Sequence, residues 1–199
     1  MVANKLKNTI YIYPTDTVWG IGCSIFAKES LLEINRIKRI DEKRPFSILF
    51  NSEEMLKGYF DLPSSITSLP LVDIFKEEST ICFPIKYWKL NSEDLEDVCA
   101  GSNYVGVRLI NSEEINQIIN ETRAPITSTS LNLTGNPPIV KYNEALEFTN
   151  NHPNTKLVGK EGADLSGVAS SVVAIDDSGV CKIFREGRKL KSILSYVKL

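Results

Sequence analysis

Four hydroxyl side chains in a row constrain this chain more than any other feature. Thr127, Ser128, Thr129 and Ser130 follow Pro125 and Ile126 and lead into Leu131-Asn132-Leu133-Thr134-Gly135-Asn136-Pro137-Pro138. The first part reads as a short strand, and Gly135 with the double proline reads as the turn after it. Successive side chains of a strand project to opposite faces, so Ser128 and Ser130 share one face and Thr127 and Thr129 the other. Buried hydroxyls need hydrogen-bond partners. The stretch is therefore either a hydroxyl-rich edge strand with a polar turn, or the polar floor of a site for a ligand with many acceptors, such as a nucleotide.

The chain has 199 residues, 42% hydrophobic and 24% charged, which suits one soluble globular domain with a sizeable core. A net charge of -2 argues against a protein-wide footprint for nucleic acid and leaves room only for a local basic groove. The four cysteines, Cys23, Cys82, Cys99 and Cys181, form no CxxC pair, the pattern of reduced thiols in a cytoplasmic protein. No stretch is long and apolar enough to span a bilayer, and residues 1–8 are polar and lysine-bearing, without a secretory signal. The single histidine, His152, lies in an Asn-Asn-His-Pro-Asn turn. Serine-histidine-aspartate catalysis and multi-histidine zinc sites lose their support accordingly. There is no Walker A sequence, and Ile25 stands where a dinucleotide fingerprint starting at Gly20-Ile21-Gly22 needs its third glycine. Phosphate chemistry in this chain requires another scaffold.

Strand and helix patterns alternate along the chain. Residues 10–13 read as a strand ended by Pro14, followed by a compact Thr15-Asp16-Thr17 loop at a strand end, where α/β sheets place ligands. An ordinary turn with an Asp16 side-chain-to-backbone bond is the plainer account of that loop. From Ala27 the spacing of Leu31, Ile34 and Ile37 predicts a helix. It ends in Arg36, Lys38, Arg39, Lys43 and Arg44, which either complement the helix dipole or wall a polyphosphate site. A strand over 45–50, a Ser52-capped helix over Glu53–Tyr59 and a helix over 63–75 broken near Pro70 follow. Residues 80–85 read as an edge strand because of Pro84, and 86–103 mostly as loop. The strand over 104–110 carries Arg108 in its apolar middle, so Arg108 needs an anionic partner from protein or ligand. A helix starting at Asn111 with Glu114, the hydroxyl strand, a short helix over 144–148 and a strand over 156–158 come next. The glycine-bearing 159–167 reads as a mobile loop, followed by a hairpin of 170–176 and 180–185 and a helix over 190–197. The alternation predicts a single layered α/β domain.

Four stretches, taken together and in order, resemble the YrdC/YciO-type domain of threonylcarbamoyl-AMP synthases. They are Tyr13-Pro14-Thr15-Asp16-Thr17-Val18-Trp19-Gly20-Ile21-Gly22, Val105-Gly106-Val107-Arg108-Leu109, Ser128-Thr129-Ser130-Leu131-Asn132-Leu133-Thr134-Gly135 and Gly167-Val168-Ala169-Ser170-Ser171-Val172-Val173. The resemblance spans nearly the whole chain. It implies one domain over 1–199, of class α/β (α+β): a twisted mixed sheet with helices packed on it and a large concave groove. The implied reaction joins L-threonine, bicarbonate and ATP into threonylcarbamoyl-AMP and pyrophosphate, for threonylcarbamoyl-adenosine modification of tRNA. By the same resemblance Lys38 is the catalytic lysine at the nucleotide phosphates. Ser130, Asn132 and Arg185 match the nucleotide side, with Ser128 beside them, and Thr17, Arg108 and Ser170 the threonine side; Arg44 is a further nucleotide-binding candidate, out of register with the family arginine. Mg²⁺ is expected as a bridge between phosphates, not as an ion caged by the protein.

The chain departs from the family pattern at several places, among them Leu131 where alanine is common and Ala169 where proline or glutamate is. The Lys-x-Arg motif reads Lys38-Arg39-Ile40, with Arg39 and Arg44 as the neighbouring arginines, and Phe75-Lys76-Glu77-Glu78 replaces Trp-Pro-Gly-Pro. The alternative is thus a YciO-like relative without this activity, binding nucleotide or double-stranded RNA in the same groove. Lys38, Arg39, Lys43 and Arg44 offer RNA a basic strip, with a steep salt dependence. Other tRNA-modification proteins are the further expected partners, and no membrane is.

Overall fold

The computed structural model describes residues 8–40 and 44–197. Lys43 of the basic strip and residues 1–7 of the amino terminus lie outside the described residues. Among those described, nine strands join in one mixed sheet. They are β1 Ile10–Pro14, β2 Trp19–Gly22, β3 Ser47–Phe50, β4 Ser79–Pro84, β5 Tyr104–Leu109, β6 Ile126–Ser130, β7 Thr155–Leu157, β8 Ser171–Ile175 and β9 Cys181–Arg185. Their order across the sheet is β7-β1-β2-β6-β3-β5-β4-β8-β9. The helices are α1 Lys28–Ile37, α2 Glu53–Tyr59, α3 Ser64–Thr67, α4 Leu71–Lys76, α5 Glu96–Cys99, α6 Glu113–Thr122, α7 Tyr142–Asn150 and α8 Leu190–Leu194.

Local chemistry accounts for most element ends. The Ser52 hydroxyl accepts the Met55 N–H at 3.1 Å and starts α2 as the sequence predicts. Helix α6 begins one residue later than expected: Ser112, not Asn111, caps it by accepting the Ile115 N–H at 3.2 Å, while Asn111 accepts from the Asn116 side chain. Pro70 separates α3 from α4. Two expectations fail. Strand β4 is not an edge; it pairs with β5 on one side and β8 on the other. Pro84 is tolerated because it is the last residue of the strand and β8 pairs only as far as Cys82, so no ladder bond is lost there. Residues 86–103 are not mostly loop: 3₁₀ turns at Ile85–Tyr87 and Ser92–Leu95 run into α5. Buried Trp88, packed on Tyr59 and Phe60, pins this segment, an anchoring its acidic composition conceals.

The pleat sorts side chains onto two faces. Ile10, Ile12, Ile21, Ile48, Phe50 and Val107 join the larger apolar cluster, with Leu31 and Ile34 of α1. Tyr11, Tyr13, Leu49 and Ile126 pack on Ile115, Ile118 and Ile119 of α6 on the opposite face. Helix α6 covers only part of that second face. Beyond it the register continues the same face through Gly20 and Ser130, through Ser128, Ser47, Gly106 and Cys82, and to Arg108 beside Leu49. This uncovered half is small and polar where the covered half is large and apolar.

Close approach of β2 to β6 depends on Gly22. A Cβ there would lie 1.7 Å from the Thr127 carbonyl oxygen. Gly22→Ala is expected to lose at least about 2 kcal/mol, because the obstacle is backbone in mid-sheet. Gly58→Ala, in α2 with nothing within 4 Å of the new methyl, is expected to gain about 0.5–1 kcal/mol. Urea denaturation of the two variants tests the assignment; equal midpoints would refute it.

Candidate active site

The open half of the sheet forms a cavity of about 350 Å³. Thr17, Arg108, Ser128, Ser130, Ser170 and Arg185 all line it. The cavity thus gathers these six residues from five separate stretches of sequence. Lys38 and Asn132 sit against its Ser130 end, joined to it by hydrogen bonds, and Arg44 is exposed nearby.

At one side stands Arg108, 7% exposed. Its guanidinium donates to the Thr17 hydroxyl at 3.2 Å and forms an ion pair with Asp16, while its buried Nε has no partner among the described residues. The plainer account of the Asp16 turn is therefore replaced. Thr15, not Asp16, closes that turn, its hydroxyl accepting the Thr17 and Val18 N–H groups and donating to the Val18 carbonyl. Asp16 is left free to supply the anion that Arg108 requires. The loop over 159–167 is tied to the same turn, with the Gly167 N–H bonded to the Thr17 carbonyl at 2.8 Å.

Arg185 enters from the last strand and donates to the Ser170 carbonyl at 2.9 Å and hydroxyl at 3.0 Å. The Ser170 hydroxyl also meets Thr80 at 2.9 Å. Burial, and then the charge of Arg108, pull the pKa of Arg185 below its ordinary value. Two guanidinium groups thus feel one another beside one void, an arrangement that favours an anion between them.

At the Ser130 end Lys38 is 5% exposed, and its ammonium donates to the backbone carbonyls of Ser130 and Asn132 and to the Asn132 side-chain oxygen. The Ser130 hydroxyl bonds to that same side-chain oxygen at 2.7 Å. The Lys38 carbonyl accepts the Thr134 N–H at 3.0 Å, so both ends of this residue hold the loop after β6. Burial, with the charge of Arg44, lowers the Lys38 pKa to about 8. Lys38 occupies this place because α1 stops there. The Arg39 N–H returns to Arg36 and the Ile40 N–H to Asn35, with Arg39 left-handed at φ 55°. Arg39 is exposed, whereas the field of Arg44 reaches Lys38, so Arg44 is the arginine electrostatically coupled to this end.

Asp16, whose loop the sequence placed at a ligand-binding strand end without naming Arg108 as its partner, completes the site with Thr80 and Ser47, which the sequence did not single out. Thr80 and Cys82 alternate with apolar residues in β4, the one local signal for them. Cys82 lies on the cavity floor, and burial raises its thiol to about 12. All four cysteines are free and buried. His152 stacks on Phe148 and contacts its carbonyl at the end of α7, outside the cavity. Among the described residues no three acidic, histidine or cysteine side chains converge to hold a metal, and the cavity lining contains no carboxylate.

The mixed nine-stranded sheet thus carries a hydroxyl-floored groove lined by two arginines, with a loop-bound lysine at its Ser130 end. The chain belongs to the Sua5/YciO/YrdC family, whose model, described as "Telomere recombination", matches residues 5–187. It is 25% identical over 163 residues to the threonylcarbamoyl-AMP synthase of Photobacterium profundum, covering 81% of this chain and 86% of that one. The solved structure of P. abyssi Sua5 complexed with L-threonine superposes with a TM-score of 0.75 at 19% identity, covering 98% of this chain. The chain spans 57% of the length of that protein. E. coli YciO superposes with a TM-score of 0.70 at 19% identity, covering 96% of this chain and 91% of that one. At these identities the solved structures establish the fold. Among the described residues, no helix is long and apolar enough to cross a membrane.

The Asp16–Arg108 pair makes a definite energetic prediction. Asp16→Ala strands a buried guanidinium and is expected to cost about 1–3 kcal/mol. Adding Arg108→Met should restore much of that loss. A double-mutant cycle read by chemical denaturation checks it; strictly additive losses would show that the pair is not coupled.

Proposed function

We propose that this chain is a threonylcarbamoyl-AMP synthase, which joins L-threonine, bicarbonate and ATP into threonylcarbamoyl-AMP and pyrophosphate. The observation that carries the reading is the convergence of Thr17, Arg108, Ser128, Ser130, Ser170 and Arg185 on one cavity. The name of the Photobacterium relative and the L-threonine complex of P. abyssi Sua5 support the same substrates.

The amine of threonine attacks the carbon of bicarbonate, and loss of water leaves a carbamate. A carbamate oxygen then attacks the α-phosphorus of ATP and displaces pyrophosphate. This chemistry needs positioning and charge neutralisation more than a protein nucleophile, which suits a groove without histidine. Arg108 holds the threonine carboxylate, taking it in exchange for Asp16, and Thr17 and Ser170 orient the amino acid. Ser128, Ser130, Asn132, Arg44 and Arg185 serve the nucleotide. Lys38 meets the phosphates when their oxygens replace the loop carbonyls around its ammonium. The nucleotide would enter as its Mg²⁺ complex, the ion supplying charge neutralisation at the phosphates. The product serves threonylcarbamoyl-adenosine modification of tRNA, with other modification proteins as partners in the cytoplasm.

Ile40 in the place of the motif arginine favours a second reading, a YciO-like relative that binds nucleotide or double-stranded RNA without this reaction. Of the basic strip, Lys38 is buried and bonded to the loop, leaving exposed Arg39 and Arg44 among the described residues.

Purified protein with ATP, Mg²⁺, L-threonine and labelled bicarbonate should release pyrophosphate and labelled threonylcarbamoyl-AMP. No product, with salt-sensitive RNA binding, would favour the second reading. Lys38→Ala should lose most turnover while remaining folded, and Arg108→Ala should raise the KM for threonine more than that for ATP. The reverse ranking would exchange the roles assigned to the two sets of residues. The lowered pKa of Lys38 adds a pH signature. An anion favours the charged lysine and raises its pKa from about 8, so nucleotide binding should take up a proton just above pH 8 and weaken as pH rises further. Calorimetry in buffers of different ionisation enthalpy reads this uptake; its persistence in Lys38→Met would assign it elsewhere.

A further inference from the structure

One large aromatic side chain in the groove is left unaccounted for by the roles above. In the hairpin of β8 and β9, Val172 faces Arg185 but its neighbour Val173 faces Ile183. Phe184 is therefore the extra residue of a β-bulge, with no opposite number in the ladder. Bulges beside functional sites re-aim side chains. Here the result is a phenyl ring that is 47% exposed yet lines the groove next to Arg185. Its neighbour across the groove wall is Tyr104, also lining the cavity, in edge-to-face contact at 5.9 Å and 77°. The Lys182 ammonium lies 5.5 Å from the Phe184 ring centroid. Exposure alone does not mark this ring, since Phe26 is 50% exposed elsewhere; its place on the groove wall, beside Arg185 and against Tyr104, does.

The position of the ring within the groove selects the kind of ligand. From β6, which carries the Ser130 and Lys38 end, to β9, which carries Phe184, the sheet order counts five inter-strand steps, β6-β3-β5-β4-β8-β9. At about 4.8 Å per step the groove extends roughly 24 Å. That is room for an extended nucleoside triphosphate with its distal phosphates at Lys38. Its far end would then meet an aromatic wall, flanked by cations, on which a flat heterocycle stacks.

We infer that Phe184, braced by Tyr104, is the stacking platform for the nucleotide base and sets the preference of this groove for nucleotides over simple polyphosphates. This rests on the nucleotide reading above. Both residues bind substrate without touching the reacting atoms. Stacking is tolerant of base identity, so the platform favours a purine by ring area and not by hydrogen-bond readout.

The test compares ATP with tripolyphosphate, which has the charges and lacks the base, each with Mg²⁺, by calorimetry. Wild type should bind ATP more tightly. Phe184→Ala should weaken ATP about ten-fold while changing tripolyphosphate by less than about two-fold and leaving the KM for threonine unchanged, and Phe184→Trp should restore ATP binding. Because Phe184 is half exposed, the alanine variant removes little core. Saturation-transfer NMR should show contact of the adenine protons with aromatic protons in wild type and its loss in Phe184→Ala. If Phe184→Ala binds ATP and forms threonylcarbamoyl-AMP as wild type does, the inference falls and the synthase reading stands. If wild type prefers ATP through Phe184 yet forms no product, the platform stands and the synthase reading falls. Equal affinity of wild type for ATP and tripolyphosphate overturns the platform.

Discussion

The fold depends on how β6 is held. This strand lies between β2 and β3, antiparallel to both, so its backbone groups are paired on either side. Four consecutive hydroxyls at such a place must each be satisfied without disturbing the ladder. The sheet does this by dividing them. Thr127 turns into the interior, where its hydroxyl accepts the Cys23 N–H at 3.1 Å and lies 3.2 Å from the Cys23 carbonyl. Ser128 and Ser130 turn the other way, onto the face that α6 leaves uncovered. The depth of the groove is thus set by where the apolar side of α6 stops.

Charge is organised around that floor by chain segments that end at its edges. The turn after β1 brings Asp16 and Thr17 to Arg108 on β5. The end of α1 brings Lys38 to the loop after β6. The bulged last strand brings Arg185 to Ser170. Each cation is held by neutral groups or a single carboxylate, and these partners offset the cost of burying its charge. Under the proposed function they are also the groups that a ligand anion replaces.

Much of this was legible in the sequence where the governing interaction is local. The Ser52 cap, the break at Pro70 and the alternation of β6 depend on residues a few positions apart. Arg108 announced by its apolar surroundings that it needed an anion. That the anion was Asp16, 92 positions away in the chain, was not legible, because nothing local distinguishes Asp16 from an ordinary turn aspartate. Thr80 was hidden for the same reason: its role comes from the pairing of β4 with β8 and its contact with Ser170. Pro84 misled because proline reports which N–H is missing and not whether a neighbour wanted it. The bulge at Phe184 exists only as a mismatch of register between two strands, which neither strand carries alone.

The burial of the four cysteines has a consequence for chemistry from outside. With the Cys23 and Cys82 thiols pushed up to about 12, and Cys99 to about 11, little of the reactive anion is present at neutral pH. Alkylating reagents and peroxide should find the native fold almost inert, even though one sulfur lies in the groove itself. A cysteine engineered on the rim would then stand out as the single quick site on an otherwise silent background. A dye or spin label placed there would report on the groove with the natural sulfurs left in place.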